Sequence, residues 1–336
     1  TLGPPQTVTT HHPLVAVHTR LTDEVEPWKI KRTLVMAREM GATTIVEFFP
    51  WAYYQGADGN IAWERPDLII NHAHTQGLTV IARLGMVPGW ARPPETPLNY
   101  LPPDAYDDFA AYAAAFANRY QDKVDFIIVG NEPNLSFEWG YLPTTATDYV
   151  ELLRLTHTAV KEAAPHMGIL AGALAPTLEP LGSQWGTNDL IYLEAMYQAG
   201  AAPYFDALAV HTYGFTFPAD TPPAPDLLNF RRVELLRDIM INHGDDHKKI
   251  YITESGWNDH PRWTRAVRPS QRIQYTLDAF AYAEANWPYV ESITLWVFRT
   301  PAPTRSYTDY FTLVTPEFIP KPIYNALQTY TQTPPE

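Results

Sequence analysis

Two short stretches place a carboxylate where a turn residue would suffice. "VGNEPN" (129–134) closes the apolar run "VDFIIV" (124–129) with Asn131, Glu132 and Pro133, and "YITESGW" (251–257) closes "KIYIT" (249–253) with Glu254. If both runs are strands that end on the same side of one sheet, the two glutamates can face each other across its mouth. Two facing carboxyls can divide a single task. One stays protonated and gives its proton to a leaving oxygen; the other stays ionised and attacks, or activates water. Unequal burial and unequal neighbours push the two pKa values apart. Cleavage of a glycosidic bond needs this pair. Pro133 disfavours helical backbone angles at Glu132 and helps to aim its side chain.

The elements that would position these groups recur along the chain. The apolar runs are "LVAV" (14–17), "TTIVEFF" (43–49), "LTVIARL" (78–84), "VDFIIV" (124–129), "GILAGAL" (168–174), "DALAVH" (206–211), "KIYIT" (249–253) and "SITLWVF" (292–298). Each is short, rich in Val and Ile and apolar on both faces, as in parallel strands covered on both sides. Between them, 27–41, 66–77, 103–120, 145–165, 188–200, 226–244 and 268–288 have helical spacing, with Pro or cap residues at their starts and Gly or Pro at their ends; 322–330 closes the series. Strand then helix, eight times over, predicts an α/β fold, a (β/α)8 barrel. The rival, a doubly wound open sheet, would usually carry a Gly-rich phosphate loop after its first strand, and "VHTRLTDE" (17–24) contains no Gly. Residues 1–12 read as an N-terminal arm, 13–330 as one barrel domain and 331–336 as a tail.

In such a barrel, functional groups project from the C-terminal strand ends. The polar residues there are His18 on strand one, Glu47 on strand two, Arg83 on strand three, Asn131 and Glu132 on strand four, His211 and Tyr213 on strand six, and Glu254 on strand seven. Strand eight carries Trp296 and then Arg299. Glu132 and Glu254, three strands apart, can converge over the ring.

"GNEPN" and "ITESGW" resemble the two signature glutamates of clan A glycoside hydrolases, at the ends of strands four and seven. "HTY" (211–213) and "DYFTLVTPEFIPKPIYNAL" (309–327) fit the same pattern in the same order. The resemblance covers nearly the whole chain and is nearest to family 39, or to family 5-like proteins. It implies a retaining double displacement, with Glu254 as nucleophile and Glu132 as general acid, then base. It further implies that Asn131 bonds the sugar 2-hydroxyl, that Tyr213 orients Glu254 and that Arg83 keeps Glu254 ionised, although many relatives carry that arginine on strand two. Exo-acting, β-xylosidase-like cleavage and transglycosylation are the near alternatives to endo cleavage. A non-catalytic carbohydrate-binding barrel is the distant one, and such proteins usually lose one of the two glutamates.

The chain holds ten Trp and twenty Tyr, more than an ordinary core uses, and sugars stack their C–H faces on such rings. Trp296 is expected to floor the subsite of the cleaved sugar, and Trp51, Trp90, Trp139 and Trp257 to extend the cleft. Trp28, Trp63 and Trp287 read as packing residues. His211 at the rim reads as a site residue, and Glu47 and Glu138 as ion-pair or substrate contacts.

The remaining features exclude more than they assign. With no Cys, disulfides, thiolate chemistry and Cys-ligated metals are ruled out. "HAH" (72–74) has metal-like spacing, but within a helix its two rings face different ways; no metal and no cofactor is expected. The net charge of −13 disfavours nucleic acid and anionic membranes as partners. "KIKR" (29–32) and "FRR" (230–232) read as solvated helix faces. A carbohydrate is the expected partner, and an extracellular or cell-surface location the expected setting.

Overall fold

The computed structural model describes residues 2–335. The strands are β1 (Val15–His18), β2 (Thr44–Pro50), β3 (Thr79–Gly85), β4 (Phe126–Val129), β5 (Gly168–Leu174), β6 (Ala207–Tyr213), β7 (Ile250–Gly256) and β8 (Val290–Leu295). They pair in parallel in chain order, and β8 closes on β1. Around them run α1 (Pro27–Glu39), α2 (Trp51–Tyr54), α3 (Glu64–Thr75), α4 (Tyr106–Tyr120), α5 (Ala146–Ala163), α6 (Asp189–Gln198), α7 (Val233–Asn242), α8 (Pro269–Asn286) and α9 (Pro322–Gln332). This is the (β/α)8 barrel and not the open sheet.

Strand periodicity sorts the side chains into two cores. Val46, Ile81, Ile128, Leu170 and Ala209 fill the barrel interior. Their neighbours in sequence, Ile45, Val80, Ile127, Ile169 and Leu208, belong to the larger shell between strands and helices. The same count places the mouth residues: two positions beyond Ile81 stands Arg83, two beyond Ala209 stands His211, and Tyr213 follows. Strand β7 breaks the count. Its pairing with β6 runs Val210 to Ile252 and then His211 to Glu254, so Thr253 is an extra residue. Ile252 packs outward, and without that extra residue Glu254 would share its face. The irregularity turns Glu254 inward, as β-bulges often do beside functional sites.

Three expectations change. Arg232 of "FRR" is not on a solvated face: it is buried and pairs with buried Asp189, its Nη2 2.8 Å and its Nε 2.9 Å from the carboxylate oxygens. Trp28 is exposed on α1, where it tilts against Phe318. A short helix, α2, also starts at Trp51, directly after β2. Near the chain ends, His12 is buried, its Nδ1 2.8 Å from Glu284 and its ring stacked on Tyr330, and the Gln6 amide donates to the carbonyl of Thr75. Thr331 is buried, and its hydroxyl donates to the Met40 carbonyl.

Candidate active site

The end of β4 is built to release Glu132 into the mouth. Gly130 and Glu132 both take positive φ, +79° and +43°. The second value is unusual for a residue with a Cβ and stores of order 1–3 kcal/mol of strain. Pro133 does keep Glu132 out of the right-handed helical region, but the outcome is left-handed rather than extended. The turn is held from both sides. The Glu132 amide donates to the Ala173 carbonyl at 2.9 Å. Asn134 is fully buried and bonds the Ala175 amide and the carbonyls of Ala175 and Thr187.

Glu254 receives the densest set of partners. Arg83 Nη1 lies 3.2 Å from its Oε1, and the Tyr213 hydroxyl donates to its Oε2 at 2.7 Å. His211 Nδ1 sits 2.7 Å from Glu132 Oε1 and 3.7 Å from Glu254 Oε2, so it bridges the two carboxyls. Oxygens of both glutamates and a His211 nitrogen all fall within 4.8 Å of one another. Among the described residues, these three also form the one group whose donor atoms could hold a metal ion. Burial by itself would raise the Glu254 carboxyl. His211, His18, Arg83 and the Tyr213 hydrogen bond outweigh it and hold the group below its ordinary 4.5. Of these, His18 is itself driven down to about 3 by burial and by Arg83. It is therefore neutral at neutral pH, and Arg83 supplies the permanent positive charge, to which His211 adds when protonated. Burial also works against His211, but Glu254 and Glu132 overcome it and raise its pKa.

Arg83 Nη1 also donates to Asn131 Oδ1 at 2.7 Å, which leaves the Asn131 amide nitrogen to act as a donor. Beyond it stands Glu138, whose carboxyl is raised by burial and by the charge of Glu132. A cleft of about 540 Å³ opens above these groups. Trp296, one residue past β8, lines it, and so do Phe137, Phe215, Trp263 and Tyr307. Trp263 stacks on Tyr307 with ring centroids 4.7 Å apart, and Arg265 lies over Phe215. Trp263 falls on the catalytic side in the sequence as well, whereas Tyr307, Phe215 and Arg265 come from long loops without periodicity and carry no such signal.

The structure therefore brings together Glu132, Glu254, Asn131, His211, Tyr213, Arg83 and Trp296. Other expected site residues lie elsewhere. Glu47 is fully buried on the outer face of β2, one residue from inward-facing Val46. It accepts bonds from Thr19 Oγ1 at 2.5 Å and from the amides of Leu21 and Thr22 at 3.0 and 2.9 Å. Trp51 is fully buried because α2 turns its indole against Tyr112 and Phe109. Trp257 is buried, and its Nε1 donates to the Phe217 carbonyl at 2.8 Å. It passes so close to Gly214 that a Cβ there would lie 1.8 Å from the indole. Trp90 is on the rim, edge-on to Trp51 and bonded to the Gln55 carbonyl. Trp139 lines a second cavity beside the cleft. Arg299 is buried and pairs with Glu24.

No family model matches the sequence, and neither does any curated protein sequence. Solved structures do match. A family 39 glycoside hydrolase from the gut symbiont Bacteroides cellulosilyticus superimposes with a TM-score of 0.73 at 18% identity, over 98% of this chain and 65% of its own. The chain thus spans about two thirds of that protein. A monomeric β-xylosidase from Caulobacter crescentus gives 0.66 at 18% identity, over 96% and 69%. A GH5_18 protein from Streptomyces cattleya, in complex with GlcNAc, gives 0.70 at 17% identity, over 97% and 82%. The fold is the barrel of these glycoside hydrolases.

Proposed function

We propose that the protein is a retaining glycoside hydrolase acting on a β-linked oligo- or polysaccharide, with Glu254 as nucleophile and Glu132 as general acid, then base. One observation carries the reading: oxygens of the two carboxyls lie within 4.8 Å of each other. Direct attack through a covalent intermediate uses carboxyls about 5–5.5 Å apart, whereas inversion through an intervening water needs roughly 6.5–9.5 Å. Electrostatics support the role given to Glu254. Glu254 is held ionised by Arg83 and Tyr213, as a nucleophile must be. In the first step a Glu254 oxygen bonds the anomeric carbon while the bond to the leaving oxygen breaks and Glu132 protonates that oxygen. In the second, Glu132 takes a proton from water, whose oxygen displaces Glu254. His211 fixes the Glu132 carboxyl, and the Asn131 amide is placed to bond the hydroxyl next to the reacting carbon.

The named activities of the structural neighbours, a family 39 glycoside hydrolase and a β-xylosidase, support a β-glycoside as substrate. The aromatic rim of Trp263, Tyr307, Phe215 and Phe137 favours an open groove and endo cleavage, for which early products would form a ladder of oligomers. Glu254→Ala should abolish hydrolysis of activated aryl β-glycosides, and azide should restore turnover as a glycosyl azide. Full hydrolysis by that variant would end the assignment.

Transfer to a sugar acceptor is a second reading, favoured by the apolar wall of Leu135, Phe137, Ala175 and Pro176 near Glu132. Transfer products that outrun hydrolysis when an aryl sugar acceptor is added would establish it.

A further inference from the structure

The chain carries a net charge of −13, yet one wall of the cleft is basic. The segment after β7, "NDHPRWTRAVRPSQR" (258–272), holds four arginines and a single acid, Asp259. Arg272 takes that acid, its Nη1 3.3 Å from the carboxylate. The segment is a closed loop held in place. The Val267 amide donates to the Asn258 carbonyl at 2.8 Å, and the Asn258 side-chain amide donates to the Tyr307 carbonyl at 2.8 Å. Trp263 stacks on Tyr307, so the loop after β8 is joined to this one and adds Arg305. The acid of that second loop, Asp309, is occupied by the amides of Thr304 and Arg305 and by the Thr304 hydroxyl. Arg262, Arg265 and Arg305 are exposed. Among the described residues, no carboxylate pairs with any of these three side chains.

Resting on the glycosidase reading, we propose that this wall binds an anionic substituent, a carboxylate or a sulfate ester, on a sugar of the chain that is cleaved, and that Arg265 makes the direct contact. Arg265 lines the same cleft as Glu132 and Glu254. Its guanidinium lies over Phe215, 5.1 Å from the ring centroid. Stacking uses the face of the guanidinium and leaves the N–H donors along its edge free. Those edge donors are what a carboxylate or sulfate accepts from. Stacking also restrains the side chain, so less rotamer freedom is lost on binding. The deeper part of the cleft carries the opposite sign, with Glu132, Glu138 and Glu254, and repels an anion. The substituent therefore sits at the rim, on a part of the glycan turned away from the reacting carbon. Arg262 and Arg305 stand outside the cleft lining and add to the positive field that draws the anion in. A neutral glycan gains nothing from these unpaired cations.

The test compares matched β-linked oligosaccharides. Xylo-, gluco- and manno-oligosaccharides, each neutral, with one uronic acid or with one sulfate ester, are titrated by calorimetry into Glu254→Gln and offered as substrates to the unaltered chain. At low salt an anionic member should bind about fivefold more tightly than its neutral partner, the upper end for one exposed ion pair. The gain should shrink as added salt screens it. A gain with either anion supports the site, and the two arms tell which anion it takes. Arg265→Gln should erase the gain, whereas Arg32→Gln, on the exposed side of α1, should keep it. No gain in any pair, or a gain that survives Arg265→Gln, would overturn the proposal. A gain in a protein that cleaves no member of the panel would keep the anion site and remove the glycosidase reading. Cleavage of neutral and anionic members alike, without any gain, would do the opposite.

Discussion

Glu47 and Glu254 are both buried glutamates near the C-terminal ends of barrel strands, and their surroundings are opposite. Glu47 faces outward from β2 and accepts two backbone amides and a hydroxyl from the segment that follows β1. Its carboxyl is raised, chiefly by burial, since those hydrogen bonds only partly compensate. Glu254 faces inward from β7 onto Arg83, His211 and Tyr213, and is held low despite its burial. One clamps a loop; the other is charged and aimed at a cleft. Burial at a strand end is therefore no mark of chemistry. What separates the two is which face of the strand carries the carboxyl and whether cations meet it there.

Replacing each member in turn should pull the two roles apart. Glu254→Ala should lower kcat/KM by roughly 10⁴–10⁶-fold, the range for loss of a nucleophile, an effect far larger on turnover than on stability. Glu47→Ala should do the reverse: it strands two amides and lowers unfolding stability by on the order of 3 kcal/mol, measurable by urea denaturation. Arg83→Met removes a charged donor from Glu254. It should cost about 10²–10³-fold in kcat and shift the acid limb of the kcat/KM profile upward from its place below pH 4.5.

Tryptophans repeat the contrast more mildly. Trp51→Ala should cost about 3–5 kcal/mol of stability and leave the product pattern intact, whereas Trp263→Ala should raise KM for long substrates with little loss of stability. The finest test is pH linkage. A raised carboxyl such as Glu47 makes the fold less stable as pH rises from the unfolded value of about 4.3 through the folded one. A depressed carboxyl such as Glu254 contributes stability above the unfolded value and loses it as pH falls through the folded one. Stability relative to Glu47→Gln should therefore fall with rising pH, and relative to Glu254→Gln should rise.

Much of this was legible in the sequence because hydrophobic runs and punctuation report strands and helices directly. All eight strands and the ring order follow from them, and strand ends then nominate Glu132, Glu254, Arg83, His211 and Tyr213. What escaped depends on phase and on loops. Counting by twos from Val46 would have sent Glu47 outward, but the same count would have sent Glu254 outward as well. Only the extra residue Thr253 in β7 reverses it, and no residue type announces a bulge. Trp51 and Trp257 looked like sugar platforms because they follow strands. A one-turn helix and the space left by Gly214 bury them instead. Trp263 and Tyr307 meet only through loop conformation.

The central claim is that Glu254, and not another carboxylate, forms the bond to the sugar. Incubation with 2,4-dinitrophenyl 2-deoxy-2-fluoro-β-glucoside and β-xyloside, followed by proteolysis and mass spectrometry, tests it directly. A fluorosugar on the peptide that contains Glu254, formed in step with inactivation and absent from Glu254→Ala, is the predicted result. A label on Glu132 or Glu47, or hydrolysis of these reagents without any labelled protein, would contradict the account.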